Sequence, residues 1–326
     1  MIAYVVRRTL YAIPLALGVI VITFLLFEVV FSPEARAQRE LGKGATERQI
    51  QEFIRARGWD APLLLNLEAE GALETVTETR LGDHFGRLIT FDFGRSEKTN
   101  EDINQMILRG MVPSLTLTVP IFLLALLVSV SLSLTVAFFR GTLLDLWIVV
   151  ICVAFMSISI LVYIIGGQYL LAQHLKLFPV YGYARGVSAA RFLLLPVIIA
   201  VLKQLGSNVR FYRTVMLEEV GQDYVRTARA RGLSERLILF KHVLKNAMIP
   251  ILTRTVLAIP FLFMGSLLLE KFFGIPGLGS LTVEAVTNGD TRVMAAIVYL
   301  GALLYVGGNL ATDVSYTLVD PRVRLR

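Results

Sequence analysis

The chain has 326 residues, 55% of them hydrophobic, and a mean hydropathy of +0.66, against an apolar share of roughly 45–50% in a soluble domain. Such a chain belongs in a bilayer. Its net charge of +7 comes from lysines and arginines clustered beside hydrophobic runs, a pattern of cytoplasmic retention that argues against a nucleic-acid partner, and its single cysteine, Cys152, excludes an intramolecular disulfide or a cysteine metal cluster.

About 20 mostly apolar residues cross a ~30 Å hydrocarbon layer as a helix. Six runs of that kind occur: Leu10 to Phe31, Val112 to Phe139, Leu143 to Leu171, Arg191 to Val215, Ile249 to Leu269 and Val293 to Val314. The first follows Arg7 and Arg8 as a signal peptide would, yet it exceeds the ~7–15-residue core of one and lacks a small-residue cleavage site, so a retained helix is expected. In the fourth, Lys203, Asn208, Arg210 and Arg213 must reach a protein interior, water or headgroups. Arg7, Arg8, Arg140, the basic central loop, Arg322, Arg324 and Arg326 fall on one side of six spans, which puts both termini in the cytoplasm. The chain then divides into a first span (1–31), an outer segment (32–111) and a helical core (112–326).

Within the outer segment, Thr46 is expected to cap a helix with Ile50, Phe53 and Ile54 on one face and Gly58 at its end, and acidic Glu68 to Thr79 is a second helical candidate. A small folded cap and a docking surface for an extracytoplasmic protein are both open readings. Gly42, Lys43 and Gly44 lack the spacing and the following Ser or Thr of a phosphate loop, and no nucleotide-binding loop occurs elsewhere. Pro113, Pro120, Pro250 and Pro260 kink helices that either line a pathway or simply pack irregularly. Phe272 to Gly279 is apolar but helix-breaking, which suits a re-entrant or interfacial turn. Gly307 and Ala311, with Gly308 and Thr312 beside them, form a small-residue packing face.

The most distinctive stretch is Glu218 to Pro250, too charged for lipid and too well patterned for a slack linker. Asp223 to Arg231 favour a helix that Gly232 can end in a left-handed cap, and Ser234 can start a second helix with Leu237, Phe240, Leu244 and Met248 on one face. Two short helices hinged at a glycine make a rigid basic knob. Chemistry is otherwise scarce: His84, His174 and His242 are scattered, and no paired-histidine motif or serine elbow occurs. Glu28, Glu270 and Asp313 are expected to snorkel from helix ends, and Arg254, four residues past Pro250, to meet headgroups. An intramembrane enzyme is not supported.

These residues resemble the inner-membrane permease subunit of binding-protein-dependent ABC importers, of the dipeptide and oligopeptide type. The likeness runs through Tyr4 to Arg8, Phe91 to Ser96, Pro113 to Leu117, Asp223 to Gly232 with His242, Asn246, Ala247 and Pro250, then Pro276 to Gly279, and Asn309, Asp313, Tyr316 and Asp320 to Arg322. It implies an all-α, six-span, type I ABC importer permease fold in a bacterial cytoplasmic membrane. It also implies a second permease subunit, two ABC ATPase subunits that bind ATP and Mg, and an extracytoplasmic solute-binding protein; this chain itself would hold no cofactor or metal. Arg226, Thr227, Ala228 and Gly232 match the family's Glu-Ala-Ala and glycine pattern, with arginine for the glutamate, so the resemblance assigns Asp223, Tyr224, Arg226, Thr227, Ala228, Arg229, Ala230, Arg231 and Gly232 to ATPase coupling within the loop 218–250. Departures are Ser32-Pro33-Glu34 for a Pro-Gly-Asp-Pro-like element, Ser159 for a proline of the third span, and Asp290 alone for an aspartate-tyrosine-proline triplet. Peptides are the expected cargo; nickel or glutathione import on the same fold is an alternative, and an ion-driven secondary transporter is the alternative from another class.

Overall fold

The computed structural model of the chain describes residues 2–30, 32–42, 44–64, 66, 74–184 and 186–319. Among them the structure is helical, and the β-bridge between Arg95 and Asp102 is isolated. Two compact units form, Ile2–Leu108 with Glu284–Gly307, and Arg109–Val283 with the stretch from Gly308.

In the first of these units, α1 (Ile2–Phe24) runs into a π turn at Leu25–Val30, followed by α2 (Pro33–Leu41), α3 (Glu47–Ala56), α4 (Glu74–Thr77) and α5 (Arg80–Thr90). The expected cap is borne out. Thr46 accepts from Gln49 N while the Gln49 side chain bonds back to Thr46 N at 2.9 Å, a reciprocal arrangement that satisfies two otherwise free amides. Ile54 and Trp59 then close a small core with Ala37 of α2. Residues 68–73 of the acidic stretch Glu68 to Thr79 lie outside the described residues, as do Asp320 to Arg326, and 74–77 are helical.

Long helices build the other unit: α6 (Ile103–Phe138), α7 (Leu143–Ser157), α8 (Ile160–Gly167) with a π turn at Gln168–His174, and α9 (Ala189–Val220). After α10 (Asp223–Ala230) the chain rises through α11 (Glu235–Leu237), a π turn at Ile238–Val243 and α12 (Leu244–Met264) as one 30-residue helix. Then come α13 (Leu267–Phe273), α14 (Leu278–Asn288), which leaves this unit after Val283, and α15 (Thr291–Val319), which returns to it at Gly308.

Among the described residues five helices are long and apolar enough to cross a membrane, at Arg7–Val30, Ile103–Phe138, Ala189–Val220, Glu235–Met264 and Thr291–Thr312. The expected third span is not one rod: Leu143–Ser157 and Ile160–His174 meet at 90°. The break falls at the position the resemblance singled out, with Ile158 extended (ψ 132) and Ser159 at φ −63, ψ 145, its side chain accepting from Leu161 N. Carbonyls freed there are costly in lipid. Lys203 of α9 answers them, donating from Nζ to the carbonyls of Met156 at 2.9 Å and Ile158 at 2.7 Å. Arg213 makes a two-pronged pair with Asp145 of α7 at 2.8 and 2.9 Å. Gly206 lets α9 approach α7, since a Cβ there would stand 2.6 Å from the Cys152 carbonyl oxygen.

The helix of the fifth span corrects one expectation. It begins at Glu235, well before Pro250, and stops at Met264, where Thr118 of α6 donates to the Leu262 carbonyl at 2.7 Å. Arg254 lies ten residues before the helix end, about 15 Å along the axis. At α15 the small face works through Gly308, whose added Cβ would strike the Pro260 ring of α12, while Gly307 has open space.

Candidate functional site: the loop between the fourth and fifth spans

Gly221 closes α9 and Gln222 is extended (φ −72, ψ 153), which turns the chain into α10. The inner face of α10 carries Val225 and Ala228, three residues apart, into a core with Tyr212, Val215, Met216 and Val220 of α9 and Ile238, Leu239 and Val243 of the following helix. Its other face leaves Asp223, Arg226, Thr227 and Ala230 exposed, followed by exposed Arg231 and Gly232. Gly232 has φ +76, a left-handed conformation that an L side chain adopts only at a cost. Across that turn Arg229 pairs with Glu235 at 2.6 and 3.2 Å. Tyr224 donates to Glu219 at 2.6 Å and is bonded by Asn246; burial, then the Glu219 carboxylate, push its phenol up to about 12, so it stays a donor at neutral pH.

The predicted coupling residues thus divide. Ala228 is buried and Tyr224 half-buried, both spent on holding α10 in place, whereas Asp223, Arg226, Thr227, Ala230, Arg231 and Gly232 face outward. The second half of the knob is not a separate short helix but the foot of the fifth span. Half of its expected stripe is displaced: Leu237 and Phe240 are 42% and 63% exposed, whereas Leu244 and Met248 pack against a core carried by Ile238, Leu239, Val243, Ala247 and Ile251. The π turn at Ile238–Val243 is the reason, because one extra residue per turn rotates the face away from a 3.6-residue reading.

A second organised site was read too weakly from sequence. Glu270 of α13 is fully buried and does not snorkel. Ser114 Oγ of α6 donates to its Oε1 at 2.8 Å, Ser266 N to Oε1 at 3.1 Å and Ser280 N to Oε2 at 3.0 Å, while Ser114 Oγ also accepts from Leu278 N at 2.8 Å. The carboxylate knots the Phe272 to Gly279 turn to α6. Both Ser114 and the Pro276 to Gly279 motif belong to the resemblance, so the signal was present; what was missing was the knowledge that they meet.

In the other unit Glu28 pairs with Arg80 and, at 3.3 Å, with Arg36. Arg36 also stands 3.7 Å from Glu97 and 5.5 Å from the Trp59 ring centroid. Thr291 donates to Glu97 at 2.7 Å and Ser96 donates to Asp290, which accepts from Val293 N at 3.2 Å and so caps α15. The departure at Asp290 to Arg292 is thereby absorbed into a clasp on residues 96–97. Burial pushes the Glu97 carboxyl above its ordinary value. The side chain of Asp313 lies outside the described residues.

The profile of the binding-protein-dependent transport system inner membrane component family matches residues 129–325, which include the whole loop. The chain belongs to that family. A peptide transport system permease protein, so named, of Brucella abortus (strain 2308) is 30% identical over 328 residues, 99% of each chain. The oligopeptide transport system permease protein AppB of Bacillus subtilis (strain 168) is 27% identical over 339 residues, again 99% of each. The dipeptide transport system permease protein DppB of Alkalihalophilus pseudofirmus is 26% identical over 348 residues, 99% of this chain and 100% of its own. As a permease of this family the chain is an inner-membrane, non-catalytic part of a transport complex. Its α10 is then a rigid element welded to two spans on one side and bare on the other.

Proposed function

We propose that this permease forms half of the path of an ATP-driven peptide importer and is driven through α10. The observation that carries the reading is the pairing of full-length likeness to permeases named for peptide transport with a short helix whose exposed face is built for a partner. The partners are a second permease, two ABC ATPase subunits that supply ATP and Mg chemistry, and an extracytoplasmic solute-binding protein. Residues 1–31 supply the first span, 32–111 the outer segment and 112–326 the core, with both termini and the loop 218–250 in the cytoplasm. Asp223, Arg226, Thr227, Ala230 and Arg231 contact an ATPase, with Leu237 and Phe240 adding apolar surface. Tyr224, Ala228 and Arg229 hold the helix that presents them, and Gly232 sets its angle.

Reversing a 1:99 population of two states takes about 5.5 kcal/mol of differential binding, which a welded helix transmits and a slack loop dissipates. Replacing Gly232 by isoleucine strains the left-handed turn by about 1–3 kcal/mol without a steric clash, whereas asparagine tolerates that conformation. In the complex reconstituted in vesicles, Gly232→Ile is expected to lose most peptide uptake and peptide-stimulated ATP hydrolysis while still inserting, and Gly232→Asn to keep both. Equal uptake by the two variants would contradict the coupling role. Absence of ATPase subunits from the purified complex by mass spectrometry, with uptake proceeding without ATP, would replace the reading with a secondary transporter.

A further inference from the structure

Between α6, α9 and α12 lies a cavity of about 250 Å³. The polar residues that line it are Gln204, Ser207, Asn208 and Tyr212 on α9, at helical spacing along one face, and Arg254 and Thr255 on α12. Phe122, Ala125 and Leu126 of α6 make an apolar wall opposite. The lining holds a single formal charge, the Arg254 cation, and no carboxylate.

From Asn246 to Leu269 Arg254 is the one charged residue, so the cation sits in the middle of the apolar part of its span. Charges at that depth face a protein interior or a water-filled path, paired or awaiting a ligand. The guanidinium lies 4.8 Å from the Phe211 ring centroid, which turns it toward α9. Among the described residues neither it nor the side-chain amides of Gln204 and Asn208 make a hydrogen bond within the chain. A cation with a fork of donors, flanked by amides that both donate and accept, matches a carboxylate attached to a peptide bond.

We propose that Arg254, with Gln204 and Asn208, is a subsite of the translocation path that receives the terminal carboxylate of a peptide in transit. This rests on the reading of the chain as a peptide permease. Of the neighbouring cations of α9, Lys203 and Arg213 are each already committed to α7 or its break, and Arg210 does not line the cavity.

The test uses the complete complex in proteoliposomes and two labelled tripeptides identical except that one ends in a carboxylate and the other in an amide. Rates are taken as variant over wild type for each peptide, so selection exerted before the path cancels. Arg254→Gln is expected to slow uptake of the free acid about tenfold and to leave the amide within about twofold, with Arg254→Lys restoring most of the loss. A second arm needs no amide: Arg254→Cys modified with a cationic thiosulfonate regains free-acid uptake, and the neutral reagent of the same size does not. Equal loss on both peptides, or rescue by the neutral reagent as well as by the cationic one, overturns the subsite and indicates a packing role or a pair with a neighbouring subunit. A wild-type complex that takes up neither peptide overturns the peptide reading itself, and this inference with it.

Discussion

At the scale of single residues, the strongest commitment in the molecule is Glu270. A buried carboxylate is tolerable only when its lone pairs are filled, and Ser114, Ser266 and Ser280 fill them. Removing the acceptor leaves a hydroxyl and two amides buried without partners, each worth about 1–3 kcal/mol. Glu270→Ala is therefore expected to lose roughly 3 kcal/mol or more, read as a clear fall in the midpoint of a fixed-rate thermal ramp of the purified permease. Glu270→Gln, which keeps one acceptor oxygen, should fall in between. An unchanged midpoint for the alanine variant would mean that the turn is held by something other than this side chain.

Among the elements, the broken pair α7 and α8 is the feature with the clearest local cause. Backbone at Ile158 and Ser159 already has the geometry that a proline at position 159 imposes, an extended residue followed by φ near −65. The break consequently does not depend on a proline ring; it depends on the Ser159 cap and on Lys203 reaching two carbonyls. Ser159→Pro is expected to preserve the fold and to shift stability by no more than about 1 kcal/mol, in the stabilising direction if the unfolded chain loses more freedom than the cap is worth. A large drop in melting midpoint, or loss of membrane insertion, would show that the serine hydroxyl is indispensable to the bend. The same logic explains the foot of the fifth span: π geometry at Ile238–Val243 rotates the buried stripe there, so Leu237 and Phe240 face outward while Leu244 and Met248 keep the expected face.

For the whole molecule the open count is of crossings. Among the described residues five continuous helices are long and apolar enough to span, and the bent pair decides whether there are six. Parity makes this measurable, because Thr99 and Arg226 are separated by three crossings if the pair spans and by two if it dips and returns. Both are exposed, while native Cys152 is buried. With six spans, an impermeant thiol reagent applied to intact cells should label Thr99→Cys and spare Arg226→Cys, and inverted vesicles should reverse the result. Labelling of both from one side would make α7 and α8 a re-entrant hairpin and move the coupling loop to the wrong face.

Spacing of apolar runs, helix caps and the basic loop are local quantities, which is why the helical class, the family likeness, the Thr46 cap and the start of α10 at Asp223 were all legible in the amino-acid order. The family profile, which covers residues 129–325, agrees with that reading. What could not be read locally was pairing. That Glu270 finds Ser114, 156 positions away, that Lys203 closes the break after Met156, and that Arg254 sits mid-span beside Phe211 all depend on which helices pack together. In an apolar surrounding a polar group's fate is set by the nearest partner in space, and only the packed structure brings those partners within reach.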